Sequence, residues 1–447
     1  MAFKKDFIFG TATAAYQIEG AAKQDGRKAS VWDIMCTKKG AIKNGDTGDI
    51  ACDHYNRLEE DLDLLSELGV KAYRFSVSWS RVFPDGVGKV NEKGLSFYDR
   101  LVDGLNKRGI TPYCTLFHWD YPEALFLKGG WLNRDSVQWF TDYAVFIVKH
   151  FEGRITNYIT LNEPQCFIQG HRDGNHAPGL KYGNIEMCYV AHHAMLAHGT
   201  AVTAMRAAAK KPISIAISLC GNPKMPYSNS EEDKKAALQS TWSMVCDFGS
   251  DILYMDPVYT GKLPKVLLDE HPYYTEAVKD GDLKAISAPL DYFGVNMYTS
   301  YYMKADGKGG FIWMPKKSAV TTNSLGWEVV PEVVYIGVKQ YYEKYKLPIV
   351  ITENGYCGLD PVDTDGRIMD YDRINFIKRY LMQVERAVSE GIDVKGYFYW
   401  SFMDNFEWAL GYDPRFGLVH VDYENGLKRT IKESGKYYRN VIKSGKL

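Results

Sequence analysis

No segment of the sequence approaches the roughly 18 to 20 uninterrupted apolar residues of a membrane-spanning helix. Neither sign of charge is in excess: 54 Lys and Arg stand against 55 Asp and Glu, a formal net charge of −1. A global basic field that would recruit nucleic acid or anionic lipid is therefore excluded. Cysteine is sparse, with eight residues at 36, 52, 114, 166, 188, 220, 246 and 357. None forms a C-x-x-C pair or stands with histidine at a zinc-ligand spacing, so no metal site is expected. Cys114, inside TPYCTLF, behaves as a small hydrophobe, and reduced thiols in a cytosolic protein are the expected state. There is no G-x-S-x-G and no GxxxxGK[ST], which removes the serine-hydrolase elbow and the phosphate loop. Linkers rich in Pro, Gly or Ser and repeats of 20 to 50 residues are also lacking, so residues 1–447 read as one domain.

The N-terminus mimics a secretory signal, with Lys4 and Lys5 before FIFGTATAA and an A-x-A pattern at Ala12 and Ala14. Asp6 interrupts the charged-to-apolar transition, and the run has no Leu-rich centre. The stretch reads better as a first β-strand, and a cytoplasmic location is the expectation.

What the chain does have is a large apolar fraction, 45%, and 14% aromatics, including 32 Tyr and 10 Trp. Such a supply suits a large core and surfaces that stack on flat apolar faces such as sugar rings. Short apolar or β-branched runs alternate with longer amphipathic stretches. The strand candidates are Phe7–Ala14, Ala72–Val77, Thr111–Phe117, Tyr158–Leu161, Ile213–Ser218, Tyr292–Asn296, Ile349–Thr352 and Gly396–Trp400. In HYNRLEEDLDLLSELG, Leu58, Leu62, Leu65 and Leu68 recur at helical spacing before Gly69. Further helices are predicted over Tyr98–Arg108, Ser136–Phe151, Met187–Ala209, Val329–Tyr345 and Tyr371–Glu390, and SEEDKKAA (230–237) reads as a solvated helix start. Eight strands separated by helices predict an α/β fold, a single (β/α)8 TIM barrel. Lys304–Trp327, which contains DGKGG, carries few helix or strand signals and reads as a long functional loop.

Barrel enzymes carry their chemistry at the C-terminal ends of the strands. Those positions supply Arg74, His118-Trp119, Asn162-Glu163, Asn296, Tyr298, Glu353 and Trp400. Two carboxylates on separate strands amid aromatic and amide groups form one plausible glycosidase arrangement among several barrel chemistries. His192, His193 and His198 lie on a predicted helix where no carboxylate or cysteine completes a ligand set, and they read as packing or surface residues.

The segments TLNEP (160–164) and ITENG (351–355) resemble the two signature sequences of glycoside hydrolase family 1, the β-glucosidase family of (β/α)8 barrels. FIFGTATAAYQIEG, YRFSVSWSR (73–81), LFHWDYPEAL (116–125), GVNMYTS (294–300) and YFYWSFMDNFEWALGYDPRFGLVHVDY (397–423) extend the resemblance from about residue 6 to residue 440 in the expected order. The resemblance implies a retaining exo-β-glucosidase acting on small β-glucosides and cello-oligosaccharides, with side activity on galactosides and fucosides and no metal or organic cofactor. It implies Glu163 as acid/base and Glu353 as nucleophile. It further implies Asn162 on the sugar 2-hydroxyl, Gln17, His118 and Trp119 on the 3- and 4-hydroxyls, and Glu407 and Trp408 on the O4/O6 edge. Trp400 is implied as the platform under the ring, and Tyr298 and Arg74 as partners of the nucleophile. Asn296 is implied as support, and Trp327 as part of the aglycone-side mouth. A 6-phospho-β-glycosidase and a non-catalytic sugar-binding relative are the alternatives. Glu407 and Ala409 differ from the phospho-sugar branch, and Arg415 reads as paired with an acid in its own loop. The implied partner is a small-molecule β-glucoside, not nucleic acid or membrane, and the sequence sets no oligomeric state.

Overall fold

A computed structural model describes residues 3–244, 247–315 and 320–447. Eight parallel strands close into a ring: β1 (Ile8–Ala12), β2 (Ala72–Ser76), β3 (Thr111–Phe117), β4 (Asn157–Asn162), β5 (Ser214–Cys220), β6 (Phe293–Asn296), β7 (Ile349–Asn354) and β8 (Val394–Trp400). Each pairs with the next in sequence, and β8 returns to β1. The predicted (β/α)8 barrel is the observed one. Its strands are almost wholly buried, which explains why they read as continuous apolar runs rather than alternating ones.

Helix Leu58–Leu68 shows how the outer layer forms. Leu58, Leu62, Leu65 and Leu68 are all buried, and the helix ends at Gly69, φ 70°. The sequence pattern began at His54, but residues 54–57 lie outside the helix, and His54 Nδ1 instead meets Asp61 at 2.7 Å. Helices Ser136–His150, Asn184–Ala208, Glu332–Tyr345 and Tyr371–Ser389 match the predicted ones within a few residues. The helix predicted from Tyr98 starts earlier, at Glu92, because Gly94 in its first turn reads as a breaker. Glycine is required there by close approach: a Cβ would stand 2.2 Å from the Arg81 carbonyl oxygen. Helix Glu231–Ser243 starts where SEEDKKAA predicts, with Ser230 Oγ accepting from the Asp233 amide at 3.1 Å.

The segment from Lys304 departs from the expected loop. Tyr302–Ala305 and Phe311–Met314 pair antiparallel, and DGKGG is their turn, in which Asp306 Oδ1 accepts from the Lys308 and Gly310 amides at 2.7 and 2.8 Å. Strands of four residues leave too short a pattern to read, and the burial of these two does not alternate. Residues 316–319 of that stretch, and Cys246 among the cysteines, lie outside the described residues.

His192, His193 and His198 are packing residues. His192 Nε2 contacts Asp282 at 2.8 Å, His193 Nδ1 the Trp131 carbonyl at 3.1 Å, and His198 Nδ1 the Thr160 hydroxyl at 2.7 Å. No helix among the described residues is long and apolar enough to cross a membrane.

The loop after β8 is held by buried ions. Asp404 accepts from Lys432 at 2.6 Å, from Arg415 at 2.7 Å and from the Gly417 amide at 2.9 Å. Lys432 and Arg373 converge on Asp360, and although burial alone would raise that carboxyl, the two cations hold it at about 2. Arg415 is thus committed to Asp404, as its sequence context suggested. The network fixes the segment that delivers Glu407 and Trp408 to the barrel mouth.

Candidate active site

The signature residues sit where strands end and the backbone turns. In TLNEP, β4 ends at Asn162, Glu163 takes a left-handed conformation (φ 43°), and Pro164 opens a short helix as its first residue. Trp119 (φ 78°) and Trp408 (φ 53°) are also left-handed, so three side chains of the site are turned inward by backbone conformations that non-glycine residues rarely adopt. In ITENG, Asn354 ties its strand to both neighbours, donating to the Met297 carbonyl at 2.6 Å and accepting from Tyr397 Oη at 2.7 Å. Gly355 follows because a Cβ there would lie 1.7 Å from the Trp400 carbonyl oxygen. The motif glycine lets β8 close onto β7.

These turns surround a cavity of about 320 Å³ lined by His118, Trp119, Glu163, Asn296, Tyr298, Trp327, Glu353, Trp400, Glu407 and Trp408, among others. Arg74 links the polar members. Its Nη1 donates to Glu353 Oε1 at 2.6 Å, its Nη2 to Asn162 Oδ1 at 2.6 Å, and its Nε to the Thr115 hydroxyl at 3.1 Å. Tyr298 Oη donates to the other oxygen of Glu353 at 2.8 Å. Asn296 Nδ2 donates to Glu163 Oε1 at 3.0 Å and to Asn162 Oδ1 at 3.1 Å, while its own Oδ1 accepts from Ser218 and Thr352. A continuous chain of hydrogen bonds therefore runs Glu163–Asn296–Asn162–Arg74–Glu353.

That chain fixes donors and acceptors. Asn162 Oδ1 receives two donors, so its amide nitrogen faces His118 Nε2 at 3.1 Å, and that ring nitrogen must accept. Burial, and secondarily the charge of Arg74, lowers the His118 pKa well below the usual histidine value, so the ring is neutral with its proton on Nδ1. Nδ1 is buried and has no partner among the described residues. The same holds for Gln17 Oε1, whose amide nitrogen is spent on Asn405 Oδ1 at 2.9 Å and the Phe406 carbonyl at 2.8 Å. A buried donor and a buried acceptor each lack a protein partner, a costly state unless a ligand hydroxyl supplies one.

Trp119 lines the cavity beside His118. Its indole N–H donates to the Asn162 carbonyl at 2.9 Å, so it presents its ring to the cavity rather than an uncommitted donor. Trp408 packs against Trp119 and Trp32, with ring centres 4.7 and 4.6 Å away, and Trp400 stacks near His118 at 5.9 Å. Trp327 stands at the mouth, 38% exposed and edge-on to Tyr298.

The carboxyls crowd one another in poorly hydrated surroundings. Burial raises Glu353 to about 7, aided by the charge of Glu163, and Arg74 and Tyr298 oppose the shift without cancelling it. Desolvation outweighs the charge of Arg74. Burial likewise raises Glu407 to about 8, with Glu353 and Glu163 adding to the effect. Among the described residues no Lys or Arg lines the cavity.

Sequence reasoning missed several lining residues: Cys166, His176, Cys220, Asn222, Thr299, Tyr301 and Phe416. It also missed Asn405, which orients Gln17. Cys220 was accessible to the strand-end rule, since it closes β5, but that strand was read as ending at Ser218.

The sequence profile of "Glycosyl hydrolase family 1" matches residues 1–447. The chain belongs to glycosyl hydrolase family 1. This family 1 chain is 43% identical over 453 residues to "Beta-glucosidase A" of Thermotoga maritima, covering all of the chain and 98% of that protein. It is 40% identical over 469 residues to a "Bifunctional beta-D-glucosidase/beta-D-fucosidase" of Bifidobacterium breve, covering 99% of the chain and 98% of the relative. Its fold superposes on the solved structure of "Beta-glucosidase from Thermotoga maritima in complex with glucoimidazole" with a TM-score of 0.92. That pair is 41% identical, with 100% of this chain and 99% of the other covered.

Proposed function

We propose that residues 1–447 form one catalytic unit, a retaining exo-β-glucosidase for small β-glucosides and cello-oligosaccharides. The observation that carries this reading is the placement of Glu163 and Glu353 in one aromatic-walled cavity, each held by its own hydrogen-bond partners and coupled through Asn162. In the first step Glu353 attacks the anomeric carbon, the bond to the leaving oxygen breaks, and Glu163 delivers its proton to that oxygen. In the second step Glu163 takes a proton from water, whose oxygen displaces Glu353 from the anomeric carbon. Arg74 and Tyr298 hold the attacking carboxylate, and the uncommitted hydrogen on the Asn162 amide is available to the sugar 2-hydroxyl, a contact that strengthens as positive charge develops. His118 Nδ1–H and Gln17 Oε1 supply the donor and acceptor for ring hydroxyls, and Trp400 and Trp408 the apolar floor. None of these steps draws on a metal or organic cofactor. The cytoplasm, which keeps thiols such as those of this chain reduced, is the setting that fits.

Glu407 bears on the choice of sugar. At neutral pH its raised pKa leaves it largely protonated in the ligand-free site, so it is both a donor and an acceptor toward O4 and O6. Rejection of a 6-phosphate then rests less on like-charge repulsion by Glu407 itself than on the absence of a lining cation, with Arg415 spent on Asp404. A dianion buried without a partner loses several kcal/mol. Steady-state kcat/KM for nitrophenyl β-glucoside should exceed that for its 6-phospho derivative by at least about 100-fold. The β-fucoside and β-galactoside should be slower than the glucoside but measurable. A preference for the 6-phospho substrate would establish the phospho-glycosidase reading in its place.

A further inference from the structure

Cys166, in the helix after Glu163, and Cys220, at the end of β5, are 54 positions apart in sequence, yet their sulfurs lie 3.7 Å apart in the wall of the active-site cavity. Cys166 Sγ is also 3.6 Å from Glu163 Oε2, and the three ligand atoms all lie within 4.8 Å of one another. Zinc-type coordination sets what such separations mean. Two sulfurs at about 2.3 Å from a tetrahedral centre are about 3.8 Å apart, and a sulfur and a carboxylate oxygen at about 2.1 Å are about 3.6 Å apart. Two edges of the triangle already have these lengths, and the third is no longer than 4.8 Å. The other oxygen of Glu163 is held by Asn296 Nδ2 at 3.0 Å, which is the outer partner a ligating carboxylate uses to keep its orientation. All three residues line the active-site cavity.

We propose that Cys166, Cys220 and Glu163 form a site for one thiophilic divalent cation of the Zn2+ and Cd2+ class, and that its occupancy switches hydrolysis off. The inhibitory half rests on the reading of Glu163 as the acid/base: coordination removes the oxygen that must carry the proton, and the ion stands where the aglycone leaves. Binding releases to solvent the two thiol protons and the proton that Glu163 carries as the acid. Because protons compete with the ion for these ligands, occupancy should increase with pH. The ion is an inhibitor here and not a cofactor, so the metal-free enzyme works and EDTA alone leaves its rate unchanged.

The test is a Cd2+ titration of the intact protein, followed by ultraviolet thiolate-to-metal charge transfer and by hydrolysis of an aryl β-glucoside. The expected result is a band saturating at one Cd2+ per chain, with at least about a tenfold loss of rate in parallel, both reversed by EDTA. In the Cys166→Ser/Cys220→Ser double variant, compared with its own metal-free rate, the band should vanish and the inhibition should weaken by at least about tenfold in Cd2+ concentration. Should that variant fail to fold, mapping of iodoacetamide-reactive thiols on the unaltered protein decides the matter, because Cd2+ must shield Cys166 and Cys220 together. No band, shielding confined to other cysteines, or inhibition unchanged in the double variant would overturn the site. A band at full stoichiometry with the rate untouched would refute the switch and count against the acid role of Glu163, while leaving the coordination in place.

Discussion

The guanidinium of Arg74 lies 2.6 Å from the carboxylate of Glu353, with both groups buried and carried on strands three apart around the ring. Arg74 favours the ionised form of Glu353, the form the proposed nucleophile needs, but burial and the nearby Glu163 push the other way and the balance falls at about 7. The same guanidinium holds Asn162, so one cation positions the proposed nucleophile and the reader of the 2-hydroxyl.

The acid limb of kcat/KM should therefore have its midpoint well above the ordinary glutamate value, toward 7, because Glu353 must lose its proton before it can attack. Removing the cation removes part of what favours ionisation, so Arg74→Met should move that midpoint to still higher pH and lower kcat by about 100-fold or more. A pH–rate profile of both proteins checks the sign. An acid limb at the ordinary glutamate value, unmoved by Arg74→Met, would mean that another group controls it.

Glu163→Ala should separate substrates by leaving group. Departing oxygens that are already weakly basic need little protonation, so a dinitrophenyl glucoside should keep most of its glycosylation rate. Alkyl glucosides and cellobiose should lose about 100- to 10,000-fold. Rates compared across a leaving-group series are the measurement, and an equal loss on every substrate would remove Glu163 from the acid role.

Glu407→Gln should stabilise the fold while weakening turnover of glucosides. A carboxyl raised to about 8 in the folded state holds its proton where the unfolded chain has lost it. The resulting penalty is nil below the unfolded value, grows as pH rises from that value to about 8, and is constant above. The gain in Tm from Glu407→Gln should follow the same course, which melting curves across that range will show. A gain that shrinks with rising pH would contradict the raised value.

Much of this was legible beforehand because a parallel barrel imposes a strong pattern. Buried strands such as Ile349–Asn354 read as apolar runs, and chemistry gathers where they end, which is how Asn162, Glu353 and Trp400 came into view; Arg74 stands in the middle of β2. What escaped depends on contacts between distant positions. Cys166 and Cys220 meet only because β4 and β5 are neighbours in the ring. Asn405 orients Gln17 from 388 positions away. The contact of the Trp119 indole N–H with the Asn162 carbonyl accompanies a left-handed turn at Trp119, which no propensity signals for tryptophan. The shift of Glu353 escaped for a related reason: the charge of Arg74 is visible in sequence, whereas the depth of burial that outweighs it is not.

The central claim, that Glu353 is the nucleophile of a retaining β-glucosidase, is tested most directly by trapping. A 2-deoxy-2-fluoro-β-glucoside with a good leaving group slows both steps by destabilising the positively charged transition state, and the leaving group preserves the first. Incubation followed by peptide mass mapping should find one fluoroglucosyl group per chain, attached to Glu353, with hydrolysis lost in proportion and regained as the adduct turns over. A label on any other residue, or loss of activity with no covalent adduct, would contradict the account.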